Sequence, residues 1–297
     1  MKYRFFTCDV FTETKFGGNP LAVFPEAEGL STEQMQKIAN ELNLSETTFV
    51  LPGSGEFTRQ VRIFTPSQEV PFAGHPNVGT AFTLASLGEL GTLESETCVL
   101  FDEKAGPVPI SINKENDRIS CELKAPSPLT IGDTFSVAQI AEALGLNPSQ
   151  IATGTHEPQA ASVGLAFIMV ELVDRSALAA ARANVNVFEE INATGNMPYL
   201  FLYVRSNDEF DIRARMYAPL DGILEDPATG SATCALVALL THYQQERDGD
   251  FTFRVGQGIE MMRPSLLEAR TEKRNGKVTG VWVGGTCVSV MEGSIEI

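Results

Sequence analysis

Arg62-Ile63-Phe64-Thr65-Pro66, followed by Pro71-Phe72-Ala73-Gly74-His75-Pro76, is nearly restated by Arg215-Met216-Tyr217-Ala218-Pro219 and then Pro227-Ala228-Thr229-Gly230-Ser231-Ala232. Pro71 and Pro227 keep the same offset as Gly74 and Gly230, 156 residues (227 − 71 and 230 − 74). Each copy reads as a strand, a short loop, a glycine turn and a helix. Val78, Thr80, Ala81, Phe82, Leu84 and Ala85 leave the first helix without a polar face, and Cys234 to Leu240 do the same for the second. A helix apolar all round is buried on all sides. The expected fold is α+β. It has two pseudo-symmetric domains, each a curved, mostly antiparallel sheet wrapped around a central apolar helix.

Outward from the first turn, Tyr3 to Val10 and Leu21 to Phe24 read as strands separated by Gly17-Gly18-Asn19-Pro20. Ser31 with Gln34 makes a capping box, and Met35, Ile38, Ala39 and Leu42 form the buried stripe of a helix. Strands are expected at 47–51, 59–64, 98–102 and 108–112, with Gly88 ending the apolar helix. Lys124-Ala125-Pro126-Ser127-Pro128 reads as a linker. The expected domains are therefore 1–125 and 126–297, with a strand from 285–297 returning to complete the first. In the second half, Ser136 and Gln139 suggest another capping box, with Gly145 as stop. Val163 to Leu172, Tyr199 to Val204 and Asp211 to Tyr217 read as strands, Arg175 to Ala183 and Ala232 to His242 as helices, and Phe251 to Ile297 as mostly short strands.

At 297 residues two domains are the better expectation than one core. With 43% apolar and 20% charged residues the composition is that of a globular protein. A formal charge of −16 argues against nucleic acid or an anionic membrane surface as partner, while leaving room for a local anion pocket. The N-terminus lacks the pattern of a signal peptide, and no apolar run reaches the length of a membrane span. The five cysteines are scattered without a CxxC, which fits free buried thiols in a reducing cytoplasm. The three histidines share no ligand spacing, so no metal site is expected.

Gly-His-Pro and Gly-Ser-Ala leave helix N–H groups uncapped at two buried helix starts, and Pro76 suits a first-turn position. Duplication for stability alone would explain the repeat but not these starts. A small-molecule carboxylate would satisfy them, aided by the helix dipole. The candidate polar residues are His75 and Ser231, each just after its glycine, Asp226 before Pro227, and Glu46 ahead of an apolar strand. A carboxyl in Glu46's position is expected to have its pKa raised by desolvation, as suits proton exchange with carbon. Each also has a plain alternative as a cap, a turn acid or a solvated loop residue. There is no GxGxxG opening a βαβ unit, so a dinucleotide-dependent dehydrogenase is not supported.

Gly18-Asn19-Pro20-Leu21-Ala22-Val23-Phe24, Leu44-Ser45-Glu46-Thr47, Ala73-Gly74-His75-Pro76 and Glu225-Asp226-Pro227-Ala228-Thr229-Gly230-Ser231-Ala232 resemble the signatures of the phenazine biosynthesis PhzF-like isomerases, as do Gln257-Gly258 and Arg263-Pro264-Ser265. The likeness spans nearly the whole chain in order. It implies a diaminopimelate epimerase-like fold with a site between two similar domains, and proton transfer without a cofactor on a carboxylate-bearing substrate. By this resemblance Glu46 is the acid/base, with His75, Asp226 and Ser231 completing the catalytic set. Asn19, Ala73, Gly74, Thr229 and Gly230 hold the substrate, and a homodimer is expected. Diaminopimelate epimerase and proline racemase use a cysteine pair at these turns. Here Ala73 precedes Gly74, and Cys234 lies inside the second helix. A suprafacial proton shift is therefore expected over two-thiol inversion. The alternatives are an epimerase or racemase of a small amino or hydroxy acid, and a non-catalytic carboxylate-binding homologue.

Overall fold

The computed structural model describes residues 1–116, 118–196 and 198–297. Contacts divide them into two units, Met1–Lys124 with Gly284–Ile297, and Ala125–Val283.

In the first unit, β1 (Lys2–Val10) pairs antiparallel with β2 (Asn19–Phe24). Helix α1 (Thr32–Leu42) starts at the anticipated capping box, in which Ser31 and Gln34 exchange hydrogen bonds. Its Met35, Ile38 and Ala39 pack with Phe24, Phe49 and Phe64, and Phe24 stacks on Phe49 at 4.9 Å. Burying such side chains contributes roughly 1.5–3 kcal/mol each. Next, β3 (Glu46–Pro52) runs parallel to β2 and antiparallel to β4 (Arg59–Phe64). One stretch of β4 pairs antiparallel with β5 (Glu69–Val70). Helix α2 (Gly74–Ser86) follows, and then β6 (Glu96–Glu103), parallel to the other stretch of β4. Antiparallel strands β7 (Gly106–Glu115) and β8 (Arg118–Lys124) continue the sheet.

The second unit contains β9 (Thr130–Thr134), α3 (Val137–Ala143), β10 (Gln159–Ser162), β11 (Ala166–Glu171), α4 (Arg175–Ala180) and α5 (Val185–Ala193). It continues with β12 (Leu200–Arg205), β13 (Ile212–Ala218), β14 (Ile223–Asp226), α6 (Gly230–Tyr243), β15 (Gly249–Gln257) and β16 (Ser265–Arg274). Strand β17 (Lys277–Glu296) begins in this unit, and from Gly284 onward belongs to the first. That later part pairs antiparallel with β1, from Val10 opposite Cys287 to Lys2 opposite Glu296. The order of pairings recurs. The parallel contacts β2–β3 and β4–β6 have counterparts in β11–β12 and β13–β15, each set within antiparallel neighbours.

Both apolar helices are core elements, as their composition requires. From Gly74 to Ala85 every residue of α2 is buried, against β1, β2, β3, β7 and β8. Gly79 allows that approach: a Cβ there would lie 2.6 Å from Leu21 and 2.7 Å from Val10. The buried hydroxyls are satisfied locally, Thr83 donating to the Gly79 carbonyl at 2.8 Å and Thr80 meeting Thr48 at 2.8 Å. α2 ends at Gly88 in the left-handed region, where Glu89 N–H closes on the Leu84 carbonyl. In α6 all of Ala232–Thr241 is buried, against β10, β11, β15 and β16.

Four expectations are corrected. Ser136 precedes α3 without a side-chain cap, while a reciprocal box forms at Asn147 and Gln150; the sequence pattern specifies donors and acceptors but not the rotamers that join them. The helix expected over 175–183 stops at Ala180, and α5 follows. The Arg215 guanidinium binds the Leu178 and Ala181 carbonyls at 2.7 and 3.1 Å, ending α4 by a contact remote in sequence. The strand expected over 163–172 is present as β11, which folds back on β10 as a hairpin. The C-terminal strands are long, because their extent is set by partners such as β1, which local pattern does not reveal. Among the five thiols, Cys98 is exposed and Cys287 intermediate, and only Cys8, Cys121 and Cys234 are buried.

Candidate active site

In the first unit three elements bring polar side chains to the start of α2. Glu46 is the first residue of β3, opposite Leu21 of β2. His75 is the second residue of α2, and Asn19 the first of β2. Glu46 Oε2 lies 3.4 Å from His75 Nε2, with side chains 14% and 6% exposed. Asn19 Nδ2 meets His75 Nδ1 at 3.3 Å, and Ser45 Oγ donates to Asn19 Oδ1 at 3.1 Å. With Asn19 so oriented, Nδ1 accepts and the ring proton sits on Nε2, facing Glu46. Burial lowers the His75 pKa to about 3. The imidazole is thus neutral near pH 7, and its contact with Glu46 is a dipole against a carboxyl rather than an ion pair. Ala73 occupies the cap position with no side-chain hydrogen bond to the helix, as the sequence implies.

The turn of the second unit is built differently. Asp226 ends β14 and is buried, and Thr229 holds the cap position of α6. Thr229 Oγ1 donates to Asp226 Oδ2 at 2.5 Å instead of capping the helix. Gln257 at the end of β15 clamps the loop. Its Oε1 accepts from Thr229 N–H at 3.0 Å, and its Nε2 donates to the Asp226 carbonyl at 2.8 Å and to Thr229 Oγ1 at 3.0 Å. Ser265 Oγ adds a bond to the Pro227 carbonyl at 2.9 Å. Gly258 (φ +73) leaves space that a Cβ would fill, 2.4 Å from the Arg263 oxygen and 2.6 Å from the Pro227 oxygen. Ser231, at the position equivalent to His75, is half-buried. Cys234 is buried inside α6.

Asn19, Glu46, His75, Ala73 and Gly74 thus gather at one turn, and Asp226, Thr229, Gly230 and Ser231 at the other. The sequence reading missed two supports of these turns: Ser45 as the group orienting Asn19, and Gln257 as the clamp. Gln257 follows Phe251, Phe253 and Val255 in a period-two series that faces inward. A polar residue at such a position is a signal that could have been read. Among the described residues no group of His, Cys, Asp and Glu is arranged to hold a metal ion, and no helix is long and apolar enough to cross a membrane.

The fold is that of the epimerase-like isomerases. The pattern of the PhzC-PhzF family, phenazine biosynthesis-like protein, matches residues 8–293, and the chain belongs to this family. It is 35% identical to an uncharacterised isomerase of Mesorhizobium japonicum, over 97% of each chain. It is 33% identical to trans-2,3-dihydro-3-hydroxyanthranilate isomerase of Pseudomonas aeruginosa, over 98% of each. The crystal structure of the Bacillus anthracis phenazine biosynthesis protein of the PhzF family matches with a TM-score of 0.91 at 26% identity, covering 100% of both chains. The protein is an isomerase.

Proposed function

We propose that the protein moves a proton on a small carboxylate-bearing substrate without a cofactor, with Glu46 as acid/base. The observation that carries this reading is the 3.4 Å approach of Glu46 Oε2 to His75 Nε2, both buried, with the ring oriented by Asn19 and Ser45. Glu46 takes a proton from an activated carbon and returns it at another position. His75 Nε2–H and the backbone N–H groups of the Gly74 turn meet the negative charge that develops. Preorganised donors of this kind typically contribute about 3–4 kcal/mol to barrier lowering. A neutral imidazole suits the task, since it donates without drawing Glu46 into a tight ion pair. Asp226 and Ser231 take part as polar groups, and Thr229 and Gly230 as the backbone of the second turn. A single carboxyl acid/base and turns without thiols favour a suprafacial shift over two-base inversion.

The test uses trans-2,3-dihydro-3-hydroxyanthranilate, the compound named for the Pseudomonas aeruginosa relative, with a panel of other small carboxylates, in deuterated water. Wild type incorporates deuterium into at least one of them. Glu46→Gln loses turnover by about 100–10,000-fold while retaining binding. Undiminished incorporation by Glu46→Gln refutes the assignment.

A further inference from the structure

Glu103 is a buried carboxyl that the reaction above does not use. It ends β6 on the inward series Val99, Phe101, Glu103, and is 7% exposed. The nearby main chain is tied to the entrance of α2, where Ala105 N–H donates to the Pro71 carbonyl at 3.1 Å. Both Glu103 oxygens are buried without an aligned hydrogen bond, and so is Asn77 Oδ1, in the first turn of α2. Asn77 is also the polar side chain that interacts with Glu103. Its Nδ2 donates to the Ala73 carbonyl at 3.1 Å, across the Gly74–His75 turn.

The charges around Glu103 leave it without a counter-ion. Gln60 and Arg62 of β4, Glu69 of β5, and Asp102 and Lys104 beside it line a cleft of about 220 Å³ together with Glu103. Arg62 forks onto Glu69 at 2.8 and 2.9 Å, and Lys104 also binds Glu69, at 3.1 Å. The ionisable residue that α2 carries is His75, which is neutral near pH 7. Burial pushes the Glu103 pKa up to about 8, only partly offset by Asn77. A protonated carboxyl supplies the O–H donor that Asn77 Oδ1 lacks, and a carboxylate does not.

We propose that Glu103 is a positioning residue for the Gly74–His75 turn, paired as a carboxylic acid with the Asn77 side chain. One Asn77 N–H goes to the Ala73 carbonyl and the other to Glu103, and Asn77 Oδ1 accepts the Glu103 O–H. The acid thereby pins the first turn of α2 and the imidazole it carries. The catalytic importance of that turn rests on the functional reading above.

The linkage has a definite sign. Because the folded-state pKa is raised, protonation of Glu103 supports the fold fully below the unfolded carboxyl pKa, and the support is lost as pH rises from about 4.5 to about 8. Gln mimics the neutral acid at every pH, so the melting temperature of Glu103→Gln gains on wild type as pH rises through this window. A constant difference between pH 5 and 9 overturns the proposal.

Amide hydrogen exchange over residues 74–80 tests the positioning. Glu103→Leu exchanges there about tenfold or more faster, as the loss of one buried hydrogen bond implies, while Glu103→Gln stays close to wild type. Wild type itself loses protection above about pH 8, after correction for intrinsic rates, and Glu103→Gln does not. Exchange unchanged in Glu103→Leu, or wild-type protection flat across pH 8, overturns the idea. The wild-type and Gln arms need no destabilised variant. With trans-2,3-dihydro-3-hydroxyanthranilate as probe, kcat falls in Glu103→Leu more than KM rises, and Glu103→Gln restores it. A wild type inert on every carboxylate counts against the functional reading alone, while exchange and melting still decide for or against Glu103.

Discussion

The two glycine turns share a strand, a loop and a buried helix, yet their polar groups are spent differently. At the first, a carboxyl and an imidazole face each other at 3.4 Å, and the ring is held by Asn19 through its far nitrogen. At the second, Thr229, Asp226 and Gln257 bind one another, and Ser265 ties down the Pro227 carbonyl. The first turn sets a ring nitrogen against a carboxyl, whereas the ring of bonds at the second holds a backbone shape. The preceding Arg–Glu forks differ in the same spirit. Arg62 binds Glu69 with its side chain 23% exposed, whereas Arg215 binds Glu225 at 4% exposure and also takes carbonyls of α4. One duplicated pattern thus yields a carboxyl–imidazole pair in one copy and a braced turn in the other.

The largest expected effect is at the first turn. His75→Gln is expected to lower turnover of whichever carboxylate the wild type isomerises by about 100-fold or more, measured by deuterium incorporation. A loss below threefold would mean that the ring is not needed. The same variant alters acid stability. The folded-state pKa of His75, about 3, lies below that of the unfolded chain, so the unfolded state takes up the proton first. The neutral ring's contribution is present above about pH 6.5 and lost as pH falls toward 3. The melting curve of His75→Gln is therefore flatter than wild type across this range.

Next is the brace of the second turn. Gln257→Leu strips three hydrogen bonds from a buried loop and is expected to cost about 2–4 kcal/mol, read as a lower denaturation midpoint. An unchanged midpoint would show that Gln257 does not hold the turn. The smallest effect separates the two forks. Arg62→Lys loses a partly exposed pair and is expected to cost about 1 kcal/mol or less. Arg215→Lys cannot fork onto Glu225 while reaching the α4 carbonyls, and is expected to cost about 3 kcal/mol. Equal costs would erase the distinction between the copies.

Much of this was legible in the residues. The offset of the two glycine turns and the two apolar helices specify buried helices inside sheets, because a helix with no polar face has no stable place at a surface. Composition and motif order led to the family. Legibility failed where partners lie far apart in sequence. The early end of α4 depends on Arg215, the length of β17 on β1, and the orientation of Asn19 on Ser45. Gln257 and Glu103 stand between these cases. Each breaks an inward period-two series, so the sequence marks them as anomalies without saying what they touch.

By itself the sequence determined most of the elements, the repeat, the family and the polar residue types at the two turns, since periodicity, turn chemistry and motif order are local. Only the tertiary structure decided that His75 is neutral and faces Glu46, that Asp226 is engaged by Thr229, and that Glu103 is buried beside Asn77. Protonation and hydrogen-bond direction depend on burial and on neighbours brought together by folding, and no local stretch of sequence contains them.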